Sequence, residues 1–153
     1  MTIKGEARGP VDKRVIELER AALKAKNASA ALLKRVQKLT PRYKTQAARR
    51  KALLQRDEDL LDQLEGPQFH KTQLELVRDW KAYERDTKPV RETHQECQES
   101  LVELRSSLKA IRNLMSRLDT PQIRKAVRSD VENARANLIK IETLWAGLAG
   151  LRV

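Results

Sequence analysis

The sequence predicts an all-α fold: elongated antiparallel helical hairpins packed as a coiled-coil bundle of four to five helices, with a long third helix kinked near Pro89. Three observations carry this expectation. Of the 153 residues, 3% are aromatic and 35% are charged, a balance that suits helices sharing narrow apolar seams rather than one thick core. Apolar residues recur in steps of four and three along most of the chain, which is heptad spacing. Only five glycines and five prolines occur, and they punctuate the periodic stretches.

Gly5, Gly9 and Pro10 mark residues 1–10 as a flexible N-terminal arm. From Val11 the seam runs through Val15, Leu18, Ala22, Ala25, Ser29, Leu32, Val36 and Leu39 without a skipped beat. Thr40-Pro41 then places a breaker where a new helix could start with proline in its first turn. The next helix, from about Pro41 to Glu65, keeps the pattern less strictly through Tyr43, Ala47, Leu54, Leu61 and Leu64, with Arg50 and Asp57 interrupting it. Folding back at Thr40-Pro41 sets Val36 beside Tyr43, Leu32 beside Ala47 and Ala25 beside Leu54. Residues 11–65 therefore read as an antiparallel hairpin.

Gly66-Pro67 opens residues 67–153, the second hairpin. Its first helix carries Phe69, Gln73, Leu76, Trp80, Tyr83, Thr87, Val90, His94, Cys97, Leu101, Leu104, Leu108, Ile111, Met115 and Leu118. The four-three spacing crosses Pro89 without changing phase, so one long helix is expected. An interior proline costs about 3 kcal/mol and removes a donor, which predicts a kink there or, failing that, a turn capped by Thr87. The last helix starts at Asp119 or Thr120, with Gln122 placed to reciprocate an Asp119 cap. Ile123, Val127, Ala134, Ile141, Leu144, Leu148 and Leu151 form its seam, widened by Val131, Leu138 and Trp145. Antiparallel return at Thr120-Pro121 places Met115 near Ile123 and Leu108 near Val131.

Charge is distributed unevenly. The net charge is +11; residues 1–52 hold 15 Lys and Arg against 4 Asp and Glu, while the remainder balances at 17 against 17. No acidic residue lies between Glu19 and Asp57. If the chain turned at Thr40-Pro41, both halves of this window would stack at one end. Lys34, Arg35, Lys38, Arg42, Lys44, Arg49, Arg50 and Lys51 would then form a basic tip about 25 Å long at about 1.5 Å per residue. Such a tip suits nucleic-acid phosphate, bound without base readout, or an acidic protein surface. Tyr43 is the only aromatic residue nearby, so no stacking platform for single strands is expected.

Signals for catalysis are sparse. His94 and Cys97 lie three apart on one helix face, but both occupy seam positions, and no neighbouring Cys or His completes a four-ligand zinc site. They read as core filler, and His70 as a surface residue. The acidic run Asp57, Glu58, Asp59, Asp62 and Glu65 lacks the glycine and alternating oxygens of a calcium loop and reads as a solvated helix face. No glycine loop for phosphate is present. No cofactor, metal or enzymatic activity is expected.

The lone Cys97 excludes an internal disulfide, the polar N-terminus is unlike a signal peptide, and no apolar stretch approaches the roughly 20 residues of a membrane span. The expected setting is the cytoplasm or the interior of a virus particle. The apolar C-terminal end, Trp145, Leu148 and Leu151, is the expected self-association surface of a homo-oligomer or of a subunit in a larger complex.

Overall fold

The structure is a computed structural model that describes residues 13–118 and 120–153. The expected arm at residues 1–10, Val11 and the Asp119 cap lie outside the described residues. Among those described, the chain forms three α-helices and no strand: α1 (Lys13–Leu61), α2 (Phe69–Ser116) and α3 (Lys125–Ala146), with a 3₁₀ turn at Thr120–Gln122 before α3. The all-α expectation holds, but three helices stand where the breaker pattern predicts four or five.

The largest correction falls at Thr40-Pro41. α1 runs through Pro41 as one helix of 49 residues, so residues 11–65 do not form a hairpin. Pro41 leaves the Gln37 carbonyl without its usual donor, yet the buried seam continues across it in phase through Val36, Leu39, Tyr43 and Ala47. Two hydroxyls on this stretch bond back to the preceding turn of the helix. Thr40 donates to the Val36 carbonyl at 2.8 Å, and Thr45 donates to the Pro41 carbonyl at 2.9 Å.

The chain turns instead at residues 62–68, between the two long helices. Gly66 donates to the Gln63 carbonyl at 2.8 Å and Phe69 to the Gly66 carbonyl at 3.2 Å, and α2 begins there. The phase of the seam approaching this turn also differs from expectation. Leu53 is buried, whereas Leu54, Leu61 and Leu64 are exposed. The heptad that carries Leu39 and Tyr43 continues through Gln46, Arg50, Leu53, Asp57 and Leu60, so the residues that seem to interrupt the pattern hold it.

α2 is helical from Phe69 to Ser116 with Pro89 inside. The turn at Thr87 does not form, and the expected kink finds no support. Of the predicted seam, Leu76, Tyr83, Thr87, Val90, Cys97, Leu101, Leu104, Leu108, Ile111 and Leu118 are all buried.

Two compact units divide the chain. The first comprises the described part of Met1–Lys34 with Glu99–Glu142. α1 and α2 are antiparallel in it, since the Arg14 guanidinium reaches the Arg117 carbonyl at 3.5 Å. α3 returns along α2, with Arg105 donating to Glu142 at 3.1 Å, and runs parallel to α1, tied by Arg124–Glu19 at 2.7 Å and Lys26–Asp130 at 3.4 Å. Leu18, Ala22, Ala25, Leu32, Leu101, Leu104, Leu108, Ile111, Val127, Val131, Ala134 and Ile141 fill the interior. The one buried polar side chain among its described residues, Ser29, donates to the Lys26 carbonyl at 2.8 Å and accepts from Asn137 at 3.1 Å, so its hydroxyl is hydrogen-bonded both ways.

The second unit comprises Arg35–Gln98 and Thr143–Val153. It is the true hairpin, with Thr87 donating to Gln46 at 3.0 Å and the Trp80 indole to Asp57 at 3.1 Å across the two helices. Leu53, Leu76 and Tyr83 form its core, backed by Leu60 and Trp80. His94 is sandwiched between Tyr43 and Trp145, at centroid distances of 4.8 and 4.4 Å. Gly150 sits at φ +84°, where a side chain would be strained, and the following Leu151 carbonyl accepts from the Tyr43 hydroxyl at 3.5 Å.

Candidate functional site

The acid-free window from Arg20 to Arg56 lies wholly along α1, so its charges are strung out on one helix rather than stacked at a tip. The basic hairpin end expected from the sequence does not form. A second premise also changes, because acidic residues reach the window from the other helices. Arg35 pairs with Glu96, Arg49 with Asp86 at 3.1 Å, and Arg56 with Asp79 at 2.7 Å.

Within the eight predicted cations the structure therefore separates three groups. Arg35 and Arg49 are structural. Arg49 also donates to Gln46 at 3.2 Å and lies 5.7 Å from the Tyr83 ring centroid, where the guanidinium gains from the ring face. Its partner Asp86, which also accepts from Arg85 at 3.3 Å, is held below the ordinary carboxylate range first by the Arg49 hydrogen bond and then by that of Arg85.

Lys34, Lys38 and Arg42 form the second group. They follow one another at intervals of four, about 6 Å of rise each, outside the buried seam of α1, with Arg42 at the rim of a depression that Asp86 also lines. All three are exposed, and no ion pair joins them to an acidic side chain among the described residues.

Lys44, Arg50 and Lys51 form the third. They border a groove of about 620 Å³ between α1 and the C-terminal tail, joined there by Arg152 over a floor that includes Ala47, Ala48, Leu54 and Leu151. Arg152 escaped sequence reasoning because 101 positions separate it from Lys51. Arg85 escaped it too; with Arg42 and Arg49 it lines a depression of about 560 Å³ flanked by Pro41 and Pro89. The signal that could have located Arg85 is the unbroken heptad phase across Pro41, which extends α1 and sets the two prolines in one antiparallel register.

The remaining candidates are interior. Cys97 is fully buried, and burial raises the pKa of its thiol, which keeps it protonated and weakly nucleophilic. His94 lies between two rings, and burial lowers its pKa. His70 is exposed. Of the expected self-association trio, Leu148 is buried and Trp145 is stacked on His94, which leaves Leu151, 37% exposed, as the open part. The apolar C-terminal end is thus largely covered by its own chain. Among the described residues no helix is long and apolar enough to cross a membrane. No family model matches the chain, and no curated protein or solved structure matches it.

Proposed function

We propose that the chain is a non-enzymatic structural or adaptor protein of a larger assembly, whose outward cations Lys34, Lys38 and Arg42 take up nucleic-acid backbone without base readout. The observation that carries this reading is the sorting of charge along α1. Cations near the seam are matched by Glu96, Asp86 and Asp79, while this outward row has no acidic partner among the described residues. A row of positive charge on a helix holds phosphate by counterion release, which is sequence-tolerant. Tyr43 is buried in a ring stack, so bases have no aromatic platform on this row.

Three phosphate contacts imply a salt slope near −3, so a fourfold rise in salt should weaken binding to generic duplex DNA or RNA roughly 40-fold. Titration by fluorescence anisotropy measures it. Lys34, Lys38 and Arg42 changed together to Glu should abolish binding with helicity intact. A salt-independent affinity, or a triple variant that binds as well as the parent, sinks the reading.

One observation favours a second reading, docking on an acidic protein: the groove beside Lys44, Arg50 and Lys51 is lined by apolar as well as basic residues, which suits an acidic amphipathic segment better than bare phosphate. Nuclease treatment of the native assembly separates the two, because association that survives it is protein-mediated.

A further inference from the structure

We propose that residues 44–61 of α1, with Asp62 in the turn that follows, are a self-complementary face through which two copies of this chain pair antiparallel about a two-fold axis near Leu54. The proposal names an occupant for the groove of the second reading and is independent of the phosphate row.

The face is written in one line of the helix. Lys44, Lys51 and Glu58 stand at successive intervals of seven, which brings each back to nearly the same side, and Asp62 follows one turn beyond Glu58. All four are exposed, and among the described residues none of their side chains has an ion pair or hydrogen bond within its own chain. The sign of the charge reverses between Lys51 and Glu58. Parallel pairing of two such faces opposes like charges, whereas antiparallel pairing sets Lys51 of each copy against Glu58 of the other, twice by symmetry.

Apolar residues on the same side fit that register. Leu54 is 39% exposed and Leu61 65% exposed, an interval of seven beside the charged row. With Lys51 opposite Glu58, the two Leu54 side chains meet at the axis, and Leu61 of one copy arrives beside Ala47 and Ala48 of the other. Large thus faces small, as interdigitating helices require. The groove that receives Leu61 is already walled by Leu151 and supplied with a further cation, Arg152, at the end where Asp62 of the second copy enters. An isologous contact of this kind closes as a dimer.

Sedimentation equilibrium on the full chain tests the pairing, with circular dichroism to confirm helicity at these exposed positions. The parent should dimerise. Lys51→Glu and Glu58→Lys should each weaken self-association on the order of tenfold, because each turns two symmetric attractions into repulsions. The two variants mixed together should associate with each other, and Lys51→Glu/Glu58→Lys in one chain should restore the dimer. A parent that stays monomeric at high micromolar concentration overturns the proposal, as does a dimer indifferent to both reversals. Self-association abolished by nuclease treatment would assign the lysines to nucleic acid and overturn it as well. A monomer that still captures an acidic peptide in the groove would sink the pairing and leave the acidic-partner reading standing.

Discussion

The two units solve the same packing problem with different side chains. In the first, segments of three helices converge, and apart from Ser29 the described interior is aliphatic, from Leu18 and Ala22 on α1 through Leu108 and Ile111 on α2 to Val131 and Ile141 on α3. In the second, two helices and a short tail must suffice. All five aromatic residues of the chain, Tyr43, Phe69, Trp80, Tyr83 and Trp145, fall there, as do both helix-interior prolines and the polar seam pairs Gln46–Thr87 and Asp57–Trp80. Three amphipathic stripes cover one another and can be filled by leucine and alanine. Two stripes leave their flanks open, and wide rings with polar edges close them while keeping those edges hydrogen-bonded.

This contrast makes Tyr83 the sharpest place to break the second unit. Its ring is fully buried against Leu53, Leu76 and Trp80, the last edge-on at 5.6 Å. Tyr83→Ala should cost about 3–5 kcal/mol, the range for deleting a core ring. Among the described residues the buried hydroxyl makes no hydrogen bond of good geometry, so Tyr83→Phe should be close to neutral. Chemical denaturation gives both numbers, and hydrogen exchange should show Tyr83→Ala loosening the second unit first. Equal loosening of both units would mean that they are one cooperative body and that the contrast is only compositional.

The prolines come next. Pro41→Ala restores a donor to the Gln37 carbonyl within a continuous helix and should stabilise the chain by about 1–3 kcal/mol, the upper figure being the full helix-interior penalty of proline. A destabilised variant would show that Pro41 is held by contacts outweighing that penalty.

His94 gives the smallest effect. Its pKa is lowered from the ordinary 6.5 by burial, so between the folded and unfolded values the unfolded chain binds more protons. Stability from this group is therefore complete above about pH 6.5 and declines as pH falls below it. His94→Phe, which keeps a ring between Tyr43 and Trp145, should remove that decline. Parallel pH profiles for parent and variant would exclude His94 as its source.

The heptad arithmetic made α2 legible almost residue by residue, because a seam position's burial follows from the helical period alone. The same test, continuity of phase, was available at Pro41: the step from Leu39 to Tyr43 is four, and Gln46, Arg50, Leu53, Asp57 and Leu60 follow in phase. Reading Arg50 and Asp57 as interruptions hid this. A charged or amide residue on a seam looks like a break until its partner is known, and Asp57 is satisfied by Trp80, Gln46 by Thr87. The candidate site suffered the same way. All eight cations were visible in the sequence, but Arg35 and Arg49 could not be told from Lys38 and Arg42, since Glu96 and Asp86 lie 61 and 37 positions away.

What the amino-acid order determined by itself is the local and periodic: an all-helical chain of amphipathic seams, one of them running through Pro89, an interior Cys97, and a run of positive charge with no acid within it. Each follows from spacing along one helix, where neighbours three, four and seven apart must share a side. Tertiary packing decided which helix covers which stripe, and with it the place of the hairpin, the identity of the paired cations and the shape of the groove beside Lys44 and Lys51. Those depend on partners far away in the chain, and one helix carries the same local signals whether it folds back at Thr40-Pro41 or runs on to Leu61.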